Sequence, residues 1–534
     1  MRCSDKLIEI LEEHQIKHIF GHPGEQILTF YDSLSQSNIK HILTRHEQAA
    51  IHAADGYSRS TGDIGVCVST AGPGASNLIM GMSVAYKDHI PLLVITGDND
   101  TDRDINEFQS LPLNDMFRPI SYKTYNPQTA EEAIQYLNEA LYLLENLPLG
   151  PIHFNLPKNI SKQEVLDGGE NFFFEGDNFD YSGLEELIIR FKNSEKPLIV
   201  AGNGVFWSHT GQKLRNLVNK HFIPIVTTFH SKGILSEDNK YNLGMTGIRG
   251  TEAANYAARE SDFILVLGAE LNERTLEYID LDKVVHVNIN KDVLKGSLQI
   301  HGSVTRVIDS LHHVSACGKT ERWTRNRFEW LGMVDEYPRK YLLEGDPEDN
   351  EGMNSAFIVK HIFDRCRDGF CVGDAGSHTT WFTVLRESVR PGQFVFSGGL
   401  APMGYGLPAG VGVSVAHPGE VVVVVTGDGA VQMTIEELAT IRAYDLPVVV
   451  CVLNNSQLGI IRQWQDLSGY GNFSVDLDCV DFSLIGEGYG VPSECVVDVD
   501  GFVRVFDEAV SCGGPFLIDV RVVRDDIPLP GRVE

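Results

Sequence analysis

Short runs of aliphatic and β-branched residues recur along this chain, each closed by turn residues and followed by a stretch whose apolar positions have helical spacing. From Ser4 to about Lys158 the runs include GVCVST at Gly65–Thr70 and PLLVITG at Pro91–Gly97, and GPIHFNLPKN at Gly150–Asn159 closes the set. A second set opens with KPLIVAGNGV at Lys196–Val205, continues through IPIVTT, DFILVLGAEL and KVVHVNIN, and ends near Ser310. A third contains EVVVVVTGDG at Glu420–Gly429 and LPVVVCVLNN at Leu446–Asn455. Such alternation predicts parallel sheets with crossover helices, and unbroken Val runs suit strands covered on both faces, although periodicity alone leaves short buried helices open. The expected fold class is α/β, with three doubly wound domains of mainly parallel sheets over 1–163, 183–318 and 346–534. The acidic, aromatic stretch 164–182 and the charged, Trp-containing stretch 319–345 read as linkers. A length of 534 residues agrees with several cores, because single cores stop growing near roughly 300 residues.

Composition narrows the function classes. Hydrophobic residues at 43% and charged residues at 22% describe a folded globular chain. Lys plus Arg number 44 against 73 Asp plus Glu, and a net charge of -29 opposes the counterion release that drives binding to DNA or RNA, so nucleic acid is excluded as a partner. Nine scattered cysteines without a CxxC pair point to reduced thiols and a cytoplasmic location. The first residues interleave charges with apolar positions, and no apolar run approaches the length of a membrane span, so no membrane association is expected.

The strongest chemical signal is Gly427-Asp428-Gly429 after a Val run, followed by a helix and a second strand that ends in Asn454-Asn455. Strand ends of this kind point at one crevice. Mg²⁺ takes near-octahedral oxygen ligands, commonly one or two carboxylates plus phosphate oxygens, and Asp428, the Asn455 amide and the Gln457 carbonyl supply such a set. Gly429 lets backbone N–H groups approach an anion, and a following helix N-terminus favours negative charge. GDG alone is a common turn. The paired asparagines, with Thr434 to Glu437 read as a capping box for the intervening helix, supply the context that the motif needs.

Asp428 and Asn455 in this setting resemble the thiamine diphosphate enzyme superfamily, and further segments match it in order. GHPG at Gly21–Gly24, RHEQAA at Arg45–Ala50 and AGPGASN at Ala71–Asn77 look like its pyrimidine-binding segments, with Pro23, Gly24 and Asn77 on the cofactor. The resemblance gives Glu47 the activating role, hydrogen-bonded to a ring nitrogen of the aminopyrimidine. Read alone, a Glu between His46 and Gln48 is a solvated helix residue. Within the superfamily the chain is most similar to the acetolactate (acetohydroxyacid) synthase catalytic subunit. LNNSQLGIIRQWQ at Leu453–Gln465 puts Leu458, Gly459 and Ile460 beside the cofactor and Trp464 over the acceptor pocket; GLAPMGYGLPA at Gly399–Ala409 makes Met403 the bulky residue that holds the cofactor bent. Ala430 follows the metal turn, Ser377 and His378 lie on the phosphate side, Gln109 lines the site, and Arg274 grips the carboxylate of a second 2-keto acid. In isolation, Met403 is a core gap-filler and Trp464 a helix-face residue.

The resemblance implies a thiamine diphosphate-binding fold, Mg²⁺, and decarboxylation of a 2-keto acid such as pyruvate followed by carboligation to a second 2-keto acid. It also implies a homodimer or homotetramer with the site between subunits, and a place in branched-chain amino acid biosynthesis; a regulatory subunit stays open. Three departures bear on this. Glu25 and Gln26 replace small residues after the PG turn and favour an alternative, a related decarboxylase or carbon–carbon lyase. Glu270 stands where the family has an arginine touching FAD, while Leu243–Gly247 and Gly268–Leu271 keep other parts of the flavin pattern, which leaves FAD open. Ser377 replaces a glutamine. A non-catalytic homologue is disfavoured by retention of Glu47, Asp428 and Asn455.

Overall fold

In this computed structural model the described residues are 1–102, 104, 106–165, 178–314, 321–349, 352–524 and 527. Most of the stretch 164–182, read as a linker, lies outside them, whereas 319–345 carries the helix Glu321–Val334, whose Trp330 and Val334 are buried against the central sheet. The chain divides into two compact units: Met1–Gly176 with Phe370–Gly376 and Val395–Arg524, and Asp177–Gly369 with Ser377–Phe394 and Asp525–Glu534.

The described residues build three six-stranded sheets with parallel registers. In spatial order the first runs Lys40–Leu43, His18–Gly21, Gly65–Ser69, Leu92–Asp98, Ile152–Pro157, Lys123–Tyr125. The third runs Phe394–Val395, Phe370–Gly373, Val422–Gly427, Val448–Asn454, Phe516–Arg521, Ser493–Val496. Numbered by chain order within each sheet, both read 2-1-3-4-6-5. The central sheet reads 3-2-1-4-5-6, the doubly wound dinucleotide-fold order. The Val runs become strands because both faces are covered; every residue of Val448–Asn454 is buried. No described helix is long and apolar enough to cross a membrane.

Within the first unit, one helix pair sets the geometry that matters. Helix Gly406–Ala416 is apolar all round and buried from Gly406 to Val415, as a helix with no solvent face must be. It packs on helix Glu47–Thr61 through glycines: a Cβ on Gly56 would lie 2.3 Å from the Ala409 carbonyl oxygen, and one on Gly412 would lie 1.8 Å from that of Ala53. Only glycine admits this approach. A buried polar network fastens the same interface. Arg59 Nε donates to Asp55 Oδ1 at 2.6 Å, its Nη2 to Asp88 Oδ2 at 2.8 Å and its Nη1 to the Phe396 carbonyl at 3.0 Å, while the Tyr405 hydroxyl donates to Asp55 Oδ1 at 2.6 Å.

Candidate active site

In parallel sheets, ligands bind at the carboxyl ends of strands where the strand order reverses. In the first sheet that point lies between His18–Gly21 and Gly65–Ser69, whose following loops are GHPG and AGPG. Here Glu47 opens its helix, with His46 as N-cap through a ring nitrogen that accepts from Gln48 N at 3.1 Å. Asn77 Nδ2 donates to Glu47 Oε2 at 2.9 Å, and Gly74 comes so close that a Cβ there would sit 3.0 Å from Glu47 Oε1. Gln109, in the left-handed region at φ 61°, packs over Gly72, which is itself left-handed at φ 57°. Asn99 Nδ2 holds the turn before it by donating to the Phe108 carbonyl at 3.1 Å. Thus Glu47, Asn77 and the AGPG turn form one cluster, with Gln109 against that turn and Gly24 against Thr70. The bulk of Gln26 goes inward, buried with its main chain against Gly97; Glu25 turns to Lys158, Oε1 to Nζ 3.1 Å.

The matching reversal in the third sheet lies between Phe370–Gly373 and Val422–Gly427, strands that deliver Asp374 and Asp428. Asp428 is buried and its Oδ2 has no hydrogen-bond partner among the described residues. Burial pushes its carboxyl up to about 6 against the pull of nearby backbone amides, including those of Gly429, Ser456 and Gln457. Asn455 Oδ1 accepts from Gln457 N at 3.1 Å, and Ser456 between them is left-handed at φ 53°. Gln457 Nε2 donates to Asp476 Oδ1 at 3.2 Å, while Leu458 N bonds the Val475 carbonyl at 2.7 Å. An orphaned carboxylate oxygen close to the Ser456–Gln457 main chain fits a hard divalent cation whose other ligands are amide, carbonyl and phosphate oxygens. Among the described residues no group of three or more His, Cys, Asp or Glu forms a metal cluster, so such an ion would depend on amide and carbonyl donors. Met403 Cε and Leu458 Cδ2 lie 3.1 and 3.0 Å from the position of a Cβ on Gly429, which walls that turn with apolar atoms next to buried Ala430.

Two expectations about local structure need correction. The segment after Gly427 is only a helical turn, Asp428–Val431, too short for an appreciable helix dipole; anion attraction there rests on backbone N–H groups. Thr434 makes no side-chain cap, since its hydroxyl donates to the Gly404 carbonyl at 3.0 Å, and the reciprocal bond is lost as well: Glu437 Oε1 accepts from Arg45 N at 2.7 Å and His46 N at 3.1 Å.

Gly459 and Ile460 begin helix Gly459–Leu467, on which Trp464 is 48% exposed and so available for contact. Ser377 and His378 belong to the second unit, where buried His378 opens helix His378–Leu385. Arg274 also lies there, exposed on helix Glu273–Leu276, with its main-chain oxygen against Gly247. Arg274 makes no ion pair among the described residues; Arg249 is held below its ordinary value by burial and then by the charge of Arg274. Two guanidiniums that repel each other favour an anion.

Sequence reasoning missed Asp374. Wholly buried, it accepts from Ala375 N at 2.8 Å, Gly404 N and Gly406 N at 3.0 Å, and Thr426 Oγ1 at 3.1 Å, and so clamps the loop that carries Met403. The signal was present as an Asp directly after a strand, GDAG, in the same position as Asp428 in GDGA.

Three family models match the chain: thiamine pyrophosphate enzyme N-terminal TPP binding domain over residues 1–116, central domain over 184–311, and C-terminal TPP binding domain over 374–520. Relatives include the probable acetolactate synthase large subunit of Methanocaldococcus jannaschii, 33% identical across 98% of this chain and 92% of its own length. That of Methanococcus aeolicus is 31% identical over the same shares, and the acetolactate synthase of Arthrospira platensis 32% identical over 97% and 94%.

Proposed function

Because this chain belongs to the thiamine pyrophosphate enzyme family, together with acetolactate synthase large subunits, we propose that it decarboxylates pyruvate and joins the two-carbon remainder to a second 2-keto acid. The observation that carries the reading is the orphaned Oδ2 of buried Asp428 beside Asn455 and Gln457. Asp428, Asn455 and the Gln457 carbonyl would hold Mg²⁺ and, through it, the diphosphate. Thiamine diphosphate, when bound, supplies the electron sink that decarboxylation needs. Glu47, whose Oε1 is left open by Asn77, would exchange a proton with the aminopyrimidine of the bound cofactor. Met403 and Leu458, which wall the Gly429 turn with apolar atoms, would keep water from the bound cofactor. Arg274, with Arg249 beside it, would bind the carboxylate of the acceptor.

The working form is a homodimer or homotetramer in the cytoplasm that serves branched-chain amino acid synthesis. The relatives are named large subunits, which supports a regulatory small subunit as partner. FAD stays open; the switch point of the central sheet, where Gly202 and Gly204 abut Gly268, is where it would bind. A second reading, aldehyde release, is favoured by the charged Glu25–Lys158 pair directly after the Pro23-Gly24 turn. Incubation with pyruvate, thiamine diphosphate and Mg²⁺, with acetolactate separated from acetaldehyde and a visible spectrum taken beforehand, tests both readings. Acetolactate with flavin bands supports the proposal, and acetaldehyde alone supports the rival.

A further inference from the structure

Glu437 is a buried acid with no place in the chemistry above. It lies fully enclosed at the end of the short helix Ile435–Glu437, downstream of the metal turn, yet its carboxylate reaches the main chain just ahead of helix Glu47–Thr61. Oε1 takes the amides of Arg45 and His46, at 2.7 and 3.1 Å, and Oε2 takes the Thr440 hydroxyl at 2.6 Å. Arg45 and His46 are the two residues immediately before Glu47, and His46 is the N-cap of the Glu47 helix. Those amides lie ahead of the helix and have no partner within it, so the carboxylate fixes where the helix starts. Neighbouring contacts reinforce the docking: the Tyr444 hydroxyl accepts from Leu43 N at 2.8 Å and donates to the His41 carbonyl at 3.4 Å, and Arg45 Nη2 donates to the Ala439 carbonyl at 3.5 Å. Burial pushes the Glu437 carboxyl up to about 7, opposed by the Thr440 hydroxyl and the Arg45 and His46 amides. An acid held at that cost in place of a neutral cap calls for a purpose.

We propose that Glu437 is a positioning residue for Glu47, which ties the start of the activating helix to the segment that follows the metal turn. The inference rests on the reading of Glu47 as the activating acid. Asn77 fixes one Glu47 oxygen, and Glu437 fixes the backbone from which Glu47 springs. The two residues set the direction in which the free oxygen points.

The geometry makes a sharp distinction between two variants. In Glu437→Gln the amide oxygen can still accept both backbone N–H groups while Nε2 donates to Thr440 Oγ1, so the clamp survives without charge. Glu437→Ala removes it. The holoenzyme should therefore keep kcat in Glu437→Gln within about threefold, whereas Glu437→Ala should lose on the order of 10- to 100-fold in kcat, the scale of a misplaced catalytic group. Affinity for thiamine diphosphate with Mg²⁺ should stay unchanged in both, because the Asp428 set is untouched. A double-mutant cycle with Glu47→Asp supplies a readout that a merely structural role would not move: positioning predicts that the losses in kcat do not add. Additive losses, or a Glu437→Ala enzyme that melts early but turns over normally per folded molecule, overturn the proposal. Should Glu437→Ala fail to fold, Thr440→Val, which removes one donor and leaves the Oε1 clamp, must behave like Glu437→Gln; a kcat loss there with unchanged melting also overturns it. If Glu47→Gln proves fully active, the underlying reading of Glu47 fails instead, and the two failures are distinguishable.

Discussion

Replacing Asp374 with Asn changes one oxygen for an amide nitrogen beside three backbone N–H donors. Ala375 N and Gly404 N donate to Oδ1, and Gly406 N and Thr426 Oγ1 to Oδ2. Whichever way the Asn amide turns, its NH₂ faces at least one backbone N–H that cannot reverse. Hydrogen bonds to a charged group contribute about 1.5–3 kcal/mol each, so losing two costs on the order of 3–6 kcal/mol. Against this, burial lifts the Asp374 carboxyl from 3.8 to about 6, and keeping it ionised at pH 8 costs about 3 kcal/mol. The difference leaves D374N less stable than the parent at pH 8 by roughly 0–3 kcal/mol. The sign with pH follows from the raised folded value: the stability this group contributes is fully present below 3.8 and is lost as pH rises through about 6. Asn does not titrate, so the gap between the two proteins should be widest near the lower limit and narrow above the upper one. Urea denaturation of both proteins, at several pH values from acid to pH 8, measures it. Equal midpoints at every pH would refute the argument that Asp374 clamps the Met403 loop.

Asp428→Ala should abolish the Mg²⁺-dependent rise in melting temperature that thiamine diphosphate gives, a stabilisation of about 2.7 kcal/mol at one hundred times Kd; an unchanged rise would remove Asp428 from the metal set. Arg274→Ala should raise the KM for the acceptor by the equivalent of about 1.5–3 kcal/mol and divert product toward acetaldehyde, with decarboxylation less affected; a normal product ratio with a lower melting temperature would make the arginine structural. Gly412→Ala forces a Cβ into the Ala53 carbonyl and should cost about 1–3 kcal/mol in chemical denaturation, and a neutral result would contradict the close helix packing.

Much of the fold was legible because parallel strands buried on both faces leave unbroken apolar runs, and Val422–Gly427 and Val448–Asn454 are among them. The turn chemistry after strands was legible for the same reason, and it led to Asp428 and Asn455. What escaped was long-range. Glu437 read as a local cap, since S/T-x-x-E looks the same whether the acid bonds its own helix or amides nearly four hundred positions away. Asp374 and Gly404 are thirty positions apart, and nothing in either segment advertises the bond. Nor did composition reveal that Arg249 stands beside Arg274, because their loops meet only in the folded central unit. The identical strand order of the first and third sheets was likewise invisible, as the two share a connectivity without a visible sequence repeat.

The central claim is that this chain binds thiamine diphosphate and activates it through Glu47. Hydrogen–deuterium exchange at the thiazolium carbon of the bound cofactor, followed in the parent and in Glu47→Gln at equal occupancy, tests it most directly. The account predicts fast exchange in the parent and exchange reduced to near that of free cofactor in the variant, with Mg²⁺-dependent binding intact in both. Equal exchange rates in the two proteins would contradict it.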